Sequence, residues 1–295
     1  VRSSAASDVY KRQENQWGFV DFNRPMVAIN QWEQAEDSMY TLCGKDRIHP
    51  STDGHLVMAY LFLKAQGLAG KPVADIRIDG AGKKVTRSDN CRVSDLSVSS
   101  DNLTFTYEAK SLPYPIDTSY YDNEKHTQAD ALSVIPFMDE MNYEGLSVSG
   151  LSDGYYGLTI GGEFIGRFTA RELERGINMA LLQNTPQYKQ AMKIRQMNEE
   201  RWLKERKMRE FYWVEYNLMR KTGMLWACNE AAVDTLRKYR PHDIFLQWNG
   251  DLWLQYMHKG IREDCVNEQQ DLVNQIYEQN KPIPLRIEIK KFTDL

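Results

Sequence analysis

The sequence predicts an α/β chain in three stretches: the closing part of a layered α/β domain, a β-rich segment, and a helical C-terminal region that ends in a strand. Three observations carry this. A strand–helix–loop–helix order opens the chain, period-two alternation fills residues 73–168, and helix-start signals dominate from residue 169 onward. The 295 residues are 42% hydrophobic and 26% charged, with a formal charge of −4. That balance suits a folded chain and argues against a surface built throughout for nucleic acid. The longest apolar run, residues 56–63 (LVMAYLFL), is too short to span a bilayer.

Residues 1–13, VRSSAASDVYKRQ, lack the apolar stretch of a secretory leader and resemble the conceptual translation of sequencing-adapter read-through. No fold element is assigned to them, and the protein proper is expected to begin near Glu14. In the first stretch, residues 14–70, Phe19-Val20-Asp21-Phe22 reads as the end of a short buried strand. Pro25 suits the first turn of a helix running to about Gln34, where its missing N–H would be unpaired anyway. A loop from Tyr40 to Pro50 follows. Ser51 or Thr52 then caps a strongly apolar helix, residues 54–66, closed by Gly67.

The second stretch, residues 71–168, alternates in strands at 75–78, 93–98 and 103–107. Beyond a polar, Tyr-rich loop, residues 146–148, 155–160 and 163–168 read as a meander, with Gly161-Gly162 as its hairpin turn. The third stretch, residues 169–295, opens with Thr169 and Glu172, a capping box for a helix through Leu182. Thr185-Pro186 starts another helix, expected to reach Arg220 and so to be roughly 50 Å long. Helices at 225–239 and 245–279 precede a final strand at 285–290.

The most informative residues are Asp46-Arg47-Ile48-His49-Pro50, followed by Asp53-Gly54-His55. An Asp and a His three apart on a loop can hydrogen-bond within one turn. The carboxylate takes one ring nitrogen and leaves the other free as a base, which a serine hydrolase needs because its nucleophile is weak until a neighbour removes its proton. The same four side chains, Asp46, His49, Asp53 and His55, also offer oxygen and imidazole donors suited to zinc or manganese. No second ligand group with characteristic spacing lies elsewhere in the chain.

DRIHP followed by STDGHLVMAYLFLKAQGL is similar to the last conserved block of the SGNH (GDSL-type) serine esterases, and VDFNRPM…INQ resembles the strand and helix before that block. The stretch DGYYGLTIGGEFIGRFTARELERGINMALLQNTPQY resembles the C-terminal extension of some bacterial members. The resemblance implies a three-layer α/β/α, flavodoxin-like domain over residues 14–70, with His49 as general base and Asp46 as the residue that orients it. It implies hydrolysis of a small carboxylic ester or acylated carbohydrate, no metal or organic cofactor, and a secreted or periplasmic location. The Gly-Asp-Ser block that carries the nucleophile is not found in this sequence. Ser88-Asp89-Asn90 and residues 99–102 lie after the Asp–His block and read as turns. The chain is therefore expected to be an inactive C-terminal portion, whose residues 14–70 alone expose an unpaired sheet edge and apolar helix faces.

A different class of function stays open: a non-catalytic carbohydrate- or protein-binding scaffold with a vestigial Asp–His loop, in which Tyr114, Tyr120 and Tyr121 stack on sugars. The long helix carries ten basic residues against five acidic ones between 189 and 221, with Trp202, Phe211, Tyr212 and Trp213 interleaved. Such a face can bind an anion. It can equally be a solvated face laced with i,i+4 pairs over buried aromatics, the reading favoured here, with no nucleic-acid partner. Cys43, Cys91, Cys228 and Cys265 form no C-x-x-C pair; two bridges or four buried thiols both fit.

Overall fold

A computed structural model describes residues 10–119 and 126–292. The chain divides into two compact units, one of Val1–Thr185 with Pro284–Leu295 and one of Pro186–Ile283.

Residues 10–14 are helical, and after them comes helix α1 (Asn23–Glu33), which buries no residue. Asp21 Oδ1 accepts the Arg24 N–H at its start, and Pro25 sits in the first turn as expected. Residues 19–22 form no strand, and Phe19 is exposed. A strand needs a ladder partner, and among the described residues no strand lies anywhere in 10–70. The α/β/α layering expected there is therefore not present within these residues. Helix α2 (Thr52–Ala65) follows, with Ser51 at the N-cap and Gly67 at positive φ just past its end. Its Leu56, Val57 and Tyr60 pack on Leu42, Ile116, Ala131 and Phe137. The apolar run of the sequence thus covers a loop, the 3-10 turn Gln128–Ser133 and the short helix α3 (Phe137–Glu140) rather than a sheet.

Among the described residues nine strands follow in chain order. They are β1 (Ala74–Asp79), β2 (Lys84–Asp89), β3 (Cys91–Val98), β4 (Asn102–Ala109), β5 (Glu144–Ser149), β6 (Tyr155–Ile160), β7 (Glu163–Thr169), β8 (Ile177–Asn178) and β9 (Leu285–Lys291). They form a sheet of order β2-β1-β5-β8 and a second of order β3-β4-β9-β6-β7. Inward side chains of both sheets merge into one core, with Ile76, Ile78, Leu146 and Val148 from the first and Phe105, Leu158, Ile287 and Ile289 from the second. The Tyr107 hydroxyl donates to the buried Glu144 carboxylate at 2.8 Å, tying strands of the two sheets. Burial and the neighbouring carboxylate push the Tyr107 phenol up.

The expected meander is only half present. β6 and β7 form a hairpin over Gly161 and Gly162, both at positive φ, as an I′-type turn requires. β5 instead runs parallel to β1 in the other sheet. The chain leaves it through Gly150, also at positive φ, before entering β6. The Thr169–Glu172 capping box is formed, but helix α4 (Ala170–Arg175) stops at Gly176, whose positive φ ends it seven residues short of Leu182.

The second unit is helical: α5 (Pro186–Val214) running into a π turn (Glu215–Met219), then α6 (Glu230–Tyr239), α7 (Ile244–Tyr256) and α8 (Lys259–Gln279). The single helix expected at 245–279 is two, broken at His258, which is extended at the N-cap of α8. Phe211, Val214, Leu236 and Trp253 form the core. Within it Glu215 is buried, accepting the Trp253 indole N–H and the Trp226 backbone N–H, each at 2.8 Å. The π turn places that carboxylate between them.

Candidate functional site

The loop between α1 and α2 is shaped by backbone bonds before any side chain acts. Asn30 Oδ1 accepts the Leu42 N–H and holds Leu42 in the core. Cys43 and Pro50 then form an isolated antiparallel bridge, Gly44 donates to the His49 carbonyl at 2.8 Å, and Ser51 donates to the Leu42 carbonyl at 3.0 Å. Residues 44–49 become a tight excursion from a fixed base. Gly54 completes that base. A Cβ there would lie 2.0 Å from the Leu42 carbonyl oxygen, so only glycine lets the first turn of α2 approach so closely.

On this excursion Asp46 and His49 meet. Asp46 Oδ2 lies 2.5 Å from His49 Nδ1, while Oδ1 accepts the backbone N–H groups of Ile48 and His49 at 2.9 and 3.1 Å. Arg47, between them, takes a positive φ to let the turn close. The imidazole bond, then the two N–H groups, hold the Asp46 carboxyl down at about 2, so it stays ionised at neutral pH. The His49 side chain is 83% exposed and that of Asp46 46%. With Nδ1 against the carboxylate, the other ring nitrogen is not used by this contact and can act as a base.

The other two candidates part from this pair. Asp53 is buried; one oxygen takes the Ser51 hydroxyl and the Gly54 N–H, and the other lies 3.7 Å from His126 Nδ1. His126 sits edge-on to Tyr40, whose phenol is pushed up to about 12 by burial and by the Asp53 charge. The His55 side chain points to solvent rather than packing at the helix start. Among the described residues no three His, Cys, Asp or Glu side chains gather into a group able to hold a metal.

The remaining sequence candidates fall as follows. Asn90, at positive φ, turns the chain between β2 and β3, and the Ser99 N–H donates to the Asn102 carbonyl in the next turn. Tyr114 takes a hydrogen bond from Gln128 and packs on Phe137, while Tyr120 and Tyr121 lie outside the described residues. On α5, Arg206 pairs with Glu210 and Arg209 with Glu205, and Phe211 is buried, but Trp202 and Tyr212 are exposed. All four cysteines are free; Cys91 and Cys265 are buried, Cys43 is half-buried and Cys228 is exposed. Among the described residues no helix is long and apolar enough to cross a membrane.

Two features escape a sequence reading. Gly54 stands after the apparent helix cap, where nothing marks the backbone of Leu42 as its neighbour. His126 meets Asp53 from 73 positions away, a separation that carries no periodic signal.

Residues 192–281 match a family model described as the diltiazem deacetylase C-terminal helical domain. No curated protein matches the chain. The chain is similar to a solved structure described as a gut microbial diltiazem-metabolizing enzyme, with 41% identity and a TM-score of 0.91 over 97% of its own length. It spans 65% of the length of that enzyme.

Proposed function

We propose that this chain is the C-terminal part of an ester hydrolase of the SGNH type, with His49 as general base, Asp46 as its orienting partner, and a nucleophilic serine on a segment outside the sequence given. The observation that carries this reading is the 2.5 Å contact between Asp46 Oδ2 and His49 Nδ1 on a loop that leaves the imidazole open. The serine hydroxyl would attack the ester carbonyl while His49 Nε2 takes its proton. The imidazolium would then return that proton to the leaving alcohol, with Asp46 offsetting the positive charge in between. Similarity to a diltiazem-metabolizing enzyme, and to a domain named for a deacetylase, supports an acetyl ester on a small organic molecule as the substrate class. Acylated carbohydrate is the second class to assay.

The test is a protein produced from the source gene with its upstream sequence in frame, compared with this chain alone. The longer protein should hydrolyse p-nitrophenyl acetate and diltiazem, and this chain should not. His49→Ala in the longer protein should lower kcat by about 10³-fold or more at preserved fold. A longer protein whose hydrolysis is indifferent to His49→Ala, or an upstream sequence without a Gly-Asp-Ser block, overturns the proposal. A longer protein that hydrolyses neither ester makes a binding scaffold the better reading.

A further inference from the structure

The helical unit holds a nucleophile–base pair. Cys228 Sγ lies 3.3 Å from His258 Nδ1, and both residues are exposed. Thirty positions separate them, and they meet because two helix starts converge. Cys228 directly precedes Asn229, the N-cap of α6, whose side chain accepts the Ala232 N–H at 3.0 Å. His258 is itself the N-cap of α8, in the break that splits residues 244–279 into two helices. The positive end of a helix favours negative charge developing on a sulfur placed just before it. The other three thiols lack this setting, since Cys91 and Cys265 are buried and Cys43 is half-buried.

We infer that Cys228 and His258 form a surface modification site that takes low-molecular-weight disulfides such as glutathione disulfide. Cys228 Sγ attacks one sulfur of the disulfide as its proton passes to His258 Nδ1. The S–S bond breaks, a Cys228 mixed disulfide forms, and the released thiolate carries away the second electron pair and is then protonated. A reducing thiol reverses the step. Sites of this kind need an accessible sulfur beside a proton acceptor, and the geometry supplies both. The inference is independent of the hydrolase reading, because neither residue belongs to the Asp46–His49 loop.

The experiment treats the native full chain with glutathione disulfide at pH 7 and maps adducts by peptide mass spectrometry over time. Cys228 should be modified first and the adduct should be removed by dithiothreitol. His258→Asn, which keeps a good N-cap residue, should slow modification of Cys228 by about tenfold or more while leaving helix content unchanged. Should that variant fail to fold, the wild-type rate at Cys228 is compared with the rate at the same cysteine in urea. Native modification that is no faster than in the unfolded chain, an unchanged rate in His258→Asn, or earlier modification of Cys43 overturns the site.

Discussion

Residues 10–70 and the β sandwich belong to the same compact unit, yet they treat their apolar side chains in opposite ways. The sandwich turns Phe105, Tyr107, Leu158, Ile287 and Ile289 into a sealed core. The N-terminal region buries one face of α2 and leaves Trp17, Phe19, Trp32, Met39, Ile48 and Phe62 in water. Scattered exposed apolar residues are ordinary, and on the hydrolase reading proposed above these six are candidates for cover by a further segment. On the hydrolase reading the cover is the rest of the catalytic layer. The sandwich buries its large side chains within itself, whereas the loop bearing Asp46 and His49 lies in a region that leaves more of them exposed.

The largest effect should come from cutting into the sandwich. Phe105→Ala removes a fully buried ring and should cost about 3–5 kcal/mol in urea unfolding, whereas Trp32→Ala, at 80% exposure, should stay within about 0.5 kcal/mol. Equal losses would abolish the contrast. A smaller difference should appear in hydrogen exchange, where amides of β4 and β9 outlast those of residues 56–63 in α2. If α2 proved the most protected element, the N-terminal region would be stable on its own and in no need of cover.

The smallest effect concerns Asp46. Its folded carboxyl lies at about 2, below the ordinary 3.8. The stabilisation of the loop is therefore fully present above the ordinary carboxylate range and is lost as pH falls through 2. A carboxyl-carbon NMR titration should place the Asp46 midpoint near 2, with the His49 ring signals changing alongside; a midpoint near 3.8 would mean that the contact is not formed in solution.

Much of this is legible in the sequence, for identifiable reasons. Thr169 and Glu172 form their capping box and Gly161-Gly162 makes its hairpin because both are local, written in three or four adjacent residues. Asp46 and His49 met for the same reason, being three apart on one turn. What failed was non-local. Residues 146–148 alternate like the strands after them, but only the fold decides that β5 pairs with β1 rather than β6. Phe19-Val20-Asp21-Phe22 has a strand's composition and, among the described residues, no partner for its ladder. Cys228 and His258 are invisible in the sequence because no Pro marks the break at His258 that brings them together.

The position of β9 has a consequence for how the molecule is made. It lies between β4 and β6, pairing with both, yet it is encoded after the entire helical unit. During synthesis β4 and β6 leave the ribosome more than a hundred residues before the strand that joins them. Until then each exposes an open edge at the centre of what will become one sheet. The helical unit is complete by Ile283 and can fold while the nascent sandwich waits. Closure of the five-stranded sheet is thus a post-helical event, and a premature stop codon shortly before Leu285 would leave its two halves without their shared strand.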